Sequence, residues 1–371
     1  MKNKNKSNIK KNKNNFTFSM NNSSLLYIHI PFCDSKCNYC AFNSYTNLNH
    51  LKKNYFKAIK KQFLNEIEKF DIEEFETVFI GGGTPSTMPI SFYEDLFKLL
   101  NPFLKNTKEI TIESNPNASF KWLKNIKNLG VNRISFGVQS FNDGKLKFLN
   151  RNHSAKIATD TIKNAKKAGF DNINIDIIYA TAVDDYELLQ NDLKIMDSLP
   201  ITHISAYSLM IEENTKWQDD YSKKKEDEEL EIWFIKEIKK RFGQYEISNF
   251  GIPCLHNLGY WEHKKYLGIG AGAVGFIKRK NFRYYTQKNV YKYIKNPISY
   301  KYEYLSPNDI KTEKILLGLR SKTGFDKSIL NENELKRVEI LIYEKKLYKK
   351  ENKIHSYDFL LADALSEYIT E

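Results

Sequence analysis

The sequence predicts an α/β fold in which a partial barrel of six βα units is followed by an accessory segment and a small, mainly helical C-terminal domain. Three observations predict it. From Leu25 onward, short apolar runs alternate six times with amphipathic helical stretches, which is the sign of repeated βα units and a parallel sheet. Within the runs, polar and apolar side chains alternate, as in Asn-Ile-Asn-Ile-Asp at 172–176, so each strand has one polar and one apolar face. After Met210 this rhythm stops.

The six strands are expected at Leu25 to Ile30, Thr77 to Ile80, Glu109 to Glu113, Arg133 to Val138, Asn172 to Ile178 and His203 to Ser208. Tyr27 and His29 alternate with Ile28 and Ile30, and Thr111 and Glu113 with Ile110 and Ile112; Ser135, Gly137 and Gln139 alternate with Ile134, Phe136 and Val138. The apolar face must meet the helices, so the polar face points into the barrel. Unpaired polar groups buried there would cost several kcal/mol, which predicts that the barrel interior binds a polar ligand or water. A half-solvated antiparallel sheet would show the same alternation, but the intervening helices favour parallel pairing.

Helix signals punctuate the pattern. Gly130, Gly169 and Gly243 close helices and Ser154 opens one. An acidic-basic helix from Asp227 to Phe242 leads into Leu-Gly-Ile-Gly-Ala-Gly-Ala-Val-Gly at 267–275. A boundary is expected near residue 280, dividing a core barrel with its accessory segment (23–280) from a C-terminal domain (281–371). In that domain Ser306, Pro307 and Asp309 start a capped helix, and one hairpin is expected.

Composition narrows the function. With 41% hydrophobic and 14% aromatic residues the chain can bury a large core, which excludes a wholly disordered chain or a fibrous repeat. No window approaches the roughly 18 consecutive apolar residues of a membrane-spanning helix, and no apolar leader precedes a cleavage site. Of the formal charge of +13, six lysines fall in the Lys/Asn-rich residues 1–22, which hold no acid. That tract is read as a disordered basic tail, a dispensable extension in preference to an arm for nucleic acid or anionic lipid. Met20 is an alternative start.

Only four cysteines are present, and three of them, Cys33, Cys37 and Cys40, form C-x3-C-x2-C directly after the first strand. This is no disulfide framework; it points to a metal in a reducing compartment, and hence to the cytoplasm. Three local thiolates suit a 4Fe-4S cluster with one iron left open to a small molecule, whereas structural zinc would want a fourth ligand, such as His29. Buried core thiols are the plainer alternative.

The spacing, with Tyr39 before the third cysteine, resembles the radical S-adenosylmethionine superfamily. The wider Tyr-Ile-His-Ile-Pro-Phe-Cys at 27–33 resembles its oxygen-independent coproporphyrinogen III oxidase branch. The resemblance implies that the open iron chelates S-adenosyl-L-methionine and that the reduced cluster breaks its sulfonium bond to give a 5′-deoxyadenosyl radical. Gly81-Gly82-Gly83-Thr84-Pro85 resembles the family's glycine motif. By position, Tyr27, Gly82 and Glu113 match residues that bind the first S-adenosylmethionine, with Val274 a further contact. Tyr39, Gly83, Thr84, Gln139, Arg151, Asp176 and Met210 match residues that line a second ligand site. Nearly all fall at or beyond the C-terminal end of a strand, where barrel active sites lie.

Two features choose a branch. Classical oxidases extend the motif to C-x3-C-x2-C-x-C, but Phe42 stands at the last position here. His256-Asn257-Leu258-Gly259-Tyr260-Trp261 matches the H-N-x-x-Y-W motif of the heme-chaperone branch. The resemblance thus implies a chaperone that binds heme and passes it to an acceptor of unknown identity. His256 is the candidate ligand, outside the six βα units, with Asn257 fixing its tautomer and Tyr260 and Trp261 stacking on the macrocycle. Coproporphyrinogen oxidation is the alternative, with such activity not expected; nucleic acid is not an expected partner, and transient contact with membrane heme proteins is left open. Two positions depart from the family. Tyr179-Ala180-Thr181-Ala182 replaces the usual Tyr-Gly-Leu-Pro, and Val274 stands where many relatives have His.

Overall fold

A computed structural model describes residues 23–371; the basic tract at 1–22 lies outside them. Six strands, β1 (Ser23–Ile30), β2 (Glu74–Gly82), β3 (Glu109–Ser114), β4 (Arg133–Gln139), β5 (Asn172–Tyr179) and β6 (His203–Ser208), pair side by side and parallel in chain order. All six expected strands are present, each within three residues of its predicted ends. Between them run α1 (Lys52–Phe70), α2 (Ile90–Leu100), α3 (Phe120–Asn128), α4 (Asp143–Phe148), α5 (Ala155–Lys167) and α6 (Tyr186–Asp197).

The alternation in sequence becomes two environments. Ile28, Ile80, Ile112, Ile134, Ile173 and Ile175 are buried in one core under the helices. The polar set points into the barrel and bonds within itself: Asn174 donates to Ser135 (2.7 Å) and to Asp176 (2.8 Å), and His203 bonds Tyr245 (2.8 Å). Side-chain caps start α3, α5 and α6, with Ser119, Ser154 and Asp185 each accepting a backbone N–H. Each such cap stabilises its helix by about 1 kcal/mol.

Past β6, α7 (Glu228–Phe242), capped by Asp227, leads to β7 (Gln244–Glu246) and β8 (Asn249–Gly251), which extend the β6 edge antiparallel. Then α8 (Leu255–Trp261) closes the barrel floor. Glu109, at the start of β3, accepts hydrogen bonds from the backbone N–H of Leu255 (3.0 Å) and His256 (3.1 Å) and from the Cys254 thiol (3.2 Å). On the opposite edge β9 (Tyr266–Ile269) runs parallel to β1, followed by β10 (Val274–Ile277), β11 (Phe282–Thr286) and β12 (Tyr300–Tyr304) antiparallel, so that twelve strands form one sheet.

The boundary near residue 280 is therefore corrected. Strands β11 and β12 belong to the main sheet, and α9 (Val290–Lys295) packs on α1, because their apolar residues Phe282, Tyr284 and Tyr293 complete the first core. The change of core comes between Tyr304 and Pro307. From there α10 (Pro307–Leu319), β13 (Phe325–Asp326), α11 (Glu332–Tyr343), β14 (Leu347–Lys350), β15 (Lys353–Ser356) and α12 (Ala362–Thr370) enclose a separate cluster around Ile315, Leu319, Val338 and Ile369. Ser306 caps α10 in a reciprocal box with Asp309, as the sequence predicts.

A buried polar seam joins α1 to the β9–β12 extension. The Glu66 carboxylate accepts from the Tyr284 hydroxyl, the Tyr300 hydroxyl (2.9 Å) and the Gln62 amide; Gln62 in turn donates to the Gly268 carbonyl (3.0 Å). Burial pushes the Glu66 carboxyl up to about 7.

Candidate functional site

The cysteine loop follows β1 and is pinned at both sides. Cys33 N–H donates to Tyr45 O (3.0 Å), while Gly83 N–H and Thr84 N–H donate to Ile30 O and Phe32 O (both 2.8 Å). This contact requires glycine: a Cβ on Gly83 would come within 2.9 Å of Phe32 O and 3.0 Å of Cys33 Sγ. Gly82 has φ +117, and a Cβ there would meet the His29 ring at 2.6 Å. The glycine motif thus lets the end of β2 lie directly against the cysteines.

Two cavities open at this end of the barrel. The smaller, about 470 Å³, is lined by Cys33, Cys37 and Cys40 together with Tyr39, Gly83, Thr84, Gln139, Arg151, Asp176 and Met210. All seven residues assigned by resemblance to the second ligand site are therefore in one cavity. The larger, about 1040 Å³, is lined by Tyr27, Gly82, Glu113 and Val274, which are the four assigned to the first ligand, and also by His256, Tyr260 and Trp261. Gly82, Glu113 and Phe42 belong to both walls, so the cavities meet there. Met210, 66% exposed, is a rim residue and not core.

Charge in the smaller cavity is arranged around sulfur and carboxylates. Arg151 places Nη1 3.1 Å from Cys37 Sγ and also bonds Gly137 O; Thr84 Oγ1 lies 3.4 Å from Cys33 Sγ. Burial pushes the Cys33 and Cys40 thiols up. Glu113 is partly buried in the wall of both cavities and accepts only the Gly82 N–H (2.9 Å); burial first, then neighbouring Asp176, push its carboxyl up to about 8. Asp176 is also raised by burial. Gln139 (φ +72) and Ala180 (φ +60) hold left-handed backbone at the ends of β4 and β5, strain of the kind that collects at functional sites.

A model of the radical SAM superfamily matches residues 27–191. The heme chaperone HemW of Lactococcus lactis is 34% identical over 358 residues, covering 90% of this chain and 93% of that protein. The heme chaperone HemW of Bacillus subtilis is 34% identical over 321 residues, covering 81% and 84%. This chain belongs to the HemW family of the radical SAM superfamily. Its fold is also that of the coproporphyrinogen III oxidase HemN of Escherichia coli, with a TM-score of 0.77 at 20% identity over 94% of this chain and 90% of that one.

Membership of the radical SAM superfamily implies a 4Fe-4S cluster and S-adenosylmethionine, and the donor set can be tested against that. Among the described residues, no three His, Cys, Asp or Glu side chains converge as one metal ion would require. This disfavours a zinc site completed by His29, whose ring nitrogens bond Tyr27 OH and Asn43 O (both 2.9 Å). A four-iron cube takes each thiolate on a different iron, so three cysteines around one cavity fit it. Cys254 is remote from them on the barrel floor, fully buried, with its thiol pushed up to about 12.

The expectations for His256 need correction. It lies on α8, outside the six βα units as expected, but it is 1% exposed and shares the larger cavity with Tyr27 and Glu113, so it is not separated from the residues assigned to the first ligand. Its Nδ1 bonds Thr77 Oγ1 (2.7 Å) and its Nε2 bonds Tyr260 OH (2.9 Å), so neither nitrogen is open to a metal. Thr77 and Tyr260, not Asn257, orient the ring, and burial lowers its pKa to about 3. In the Tyr179-Ala180-Thr181-Ala182 turn, Ala180 adopts a glycine-like conformation, and Thr181 N–H and Oγ1 bond Asp184 (2.8 and 2.9 Å).

Proposed function

We propose that this chain is a heme chaperone that binds a 4Fe-4S cluster, S-adenosyl-L-methionine and heme, and passes heme to an acceptor protein. The observation that carries this reading is the pair of joined cavities: one holds all three clustered cysteines, and the other is larger and walled by aromatic rings, among them Phe79, Tyr260, Trp261 and Phe276. A flat apolar macrocycle with anionic edges suits the second. Lys36 and Lys288 line it and, among the described residues, have no carboxylate partner, whereas Lys264 and Arg283 are paired with Glu76 and Glu313.

Cys33, Cys37 and Cys40 would hold the cluster, which when bound supplies one-electron cleavage of a sulfonium. The protein's own part is orientation and shielding. Glu113 stands in the wall of both cavities with one oxygen unused by protein, placed to accept hydrogen bonds from the hydroxyls of a nucleoside ribose. Gly82 and Gly83 let the ligand approach the backbone. Arg151 holds positive charge against Cys37. Phe42, 66% exposed, offers an apolar ring where the oxidase motif has its fourth cysteine.

The test is anaerobic reconstitution of the full chain, followed by heme titration, S-adenosylmethionine binding and transfer of heme to an apo-hemoprotein. Saturable heme binding and transfer are expected, with coproporphyrinogen conversion absent beside a competent oxidase control. Robust decarboxylation without heme binding would overturn the reading.

A further inference from the structure

Three histidines line the larger cavity, and their ring nitrogens separate them. His29 and His256 each have both nitrogens bonded within the protein. His263, just past α8, bonds only through Nε2, to the Glu313 carboxylate of α10 at 3.1 Å. Its Nδ1 is buried with no partner. An orphaned buried nitrogen forfeits about 1–3 kcal/mol that a ligand can recover.

The chemistry of this nitrogen is that of a metal ligand. Burial favours the neutral form of the His263 ring, against the pull of the Glu313 carboxylate. With the Nε2 proton directed to Glu313, the lone pair falls on Nδ1. Metal-bound histidines characteristically donate their other ring N–H to a carboxylate, which fixes the tautomer and raises basicity. Glu313 is itself held by Arg283 at 2.6 Å. The hydroxyls of Tyr27 and Tyr260 are bonded to His29 and His256, and no cysteine lines this cavity.

Resting on the heme-chaperone reading, we propose that His263, positioned by Glu313, is the protein ligand to the heme iron in the larger cavity. Nδ1 donates its lone pair to the iron in place of a solvent ligand; no proton or electron moves, because Nε2–H stays on Glu313. Nδ1 is covered by protein, so ligation requires the side chains over it to move aside while Nε2–H keeps its bond to Glu313.

The experiment titrates ferric heme into the full chain and into His263→Ala, His256→Gln and Glu313→Gln, reading Soret position, affinity and heme midpoint potential. Wild type and His256→Gln are expected to give the same Soret band. His263→Ala is expected to lose that band and at least tenfold in affinity, and added imidazole should restore the band, which a misfolded variant could not show. Glu313→Gln should keep the ligand and raise the midpoint potential, as a less basic imidazole stabilises ferric iron less. An unchanged Soret band and affinity in His263→Ala, or loss of the band in His256→Gln alone, would overturn the assignment while leaving the chaperone reading intact. Absence of saturable heme binding by wild type would defeat the chaperone reading itself, and the assignment with it.

Discussion

Glu66, fully buried, and Glu113, partly buried in a cavity wall, are both carboxyls pushed up by burial, to about 7 and about 8, yet they serve opposite ends. Glu66, in the seam between α1 and the β9–β12 extension, accepts from two tyrosine hydroxyls and a glutamine amide. Glu113, at the barrel mouth, accepts from one backbone N–H and faces two cavities. A buried polar group costs free energy unless it is hydrogen-bonded. A saturated carboxyl has repaid that cost within the fold, whereas an unsaturated one leaves it for a ligand to recover. The number of partners, more than the shift in pKa, separates structural from functional burial. The same rule distinguishes His256 from His263.

The strongest way to break this contrast is at sulfur. Cys33→Ala, Cys37→Ala and Cys40→Ala should each abolish the cluster, because three ligands at one mouth leave no spare. Cys254→Ala should retain full iron and sulfide and cost about 1–3 kcal/mol, since it removes only a buried thiol and one partner of Glu109. Iron and sulfide per chain after anaerobic reconstitution decide it; equal dependence on Cys254 would reject the division between mouth and floor.

Next, the two carboxyls can be exchanged for amides. Above about pH 8, where Glu113 is ionised, Glu113→Gln should weaken S-adenosylmethionine binding by about 10–100-fold, the loss of one or two charge-assisted hydrogen bonds, while the melting temperature stays level or rises. Glu66→Gln should leave that affinity alone and cost about 1–3 kcal/mol, because an amide turns a donor toward groups that now donate to it. Calorimetric binding and denaturant melts on both variants give the four values needed.

The pH dependence sharpens the comparison further. Both carboxyls have folded values above the ordinary 4.5 of a glutamate, so each contributes stability that is complete below about pH 4.5 and lost as pH rises through about 7 for Glu66 and about 8 for Glu113. Stability should decline across that window. Glu66→Gln should flatten the decline through about pH 7, and Glu113→Gln the part through about pH 8. In wild type alone, affinity for the cationic ligand should increase as pH rises through about 8, because the ionised carboxylate is the better acceptor.

Much of the mouth was legible in the sequence, because it is built from local signals. Strand alternation placed six strands, and motifs at their C-terminal ends named residues that the fold gathers into two cavities. The β7–β12 extension was not legible: its strands are three to five residues long, and β9 finds its partner β1 across more than two hundred residues. Glu66 and Gln62 read only as polar positions on a charged helix, since Tyr284 and Tyr300 reach them from far along the chain. A motif brought His256 to notice but carried no information on its bonds. His263 belongs to no motif, and its partner Glu313 is fifty residues away.

The smallest predicted effect probes strain at the mouth. Ala180 follows β5 with φ +60, a conformation that favours glycine. Left-handed backbone costs an L-residue roughly 1–2 kcal/mol, and glycine is free of it but loses more chain entropy on folding, about 0.5–1 kcal/mol. The difference leaves Ala180→Gly stabilising by about 1 kcal/mol, read as a shift of the denaturation midpoint at unchanged slope. The turn is held independently by Thr181 and Asp184, and Asp184 is neutralised by buried Lys145 at 2.6 Å, so the substitution should relieve strain without moving the loop. Cluster content and ligand affinity should therefore be unchanged. Destabilisation by glycine would mean that Ala180 is not strained in the folded protein, and a change in affinity would mean that the strain at the end of β5 is used by the neighbouring cavity.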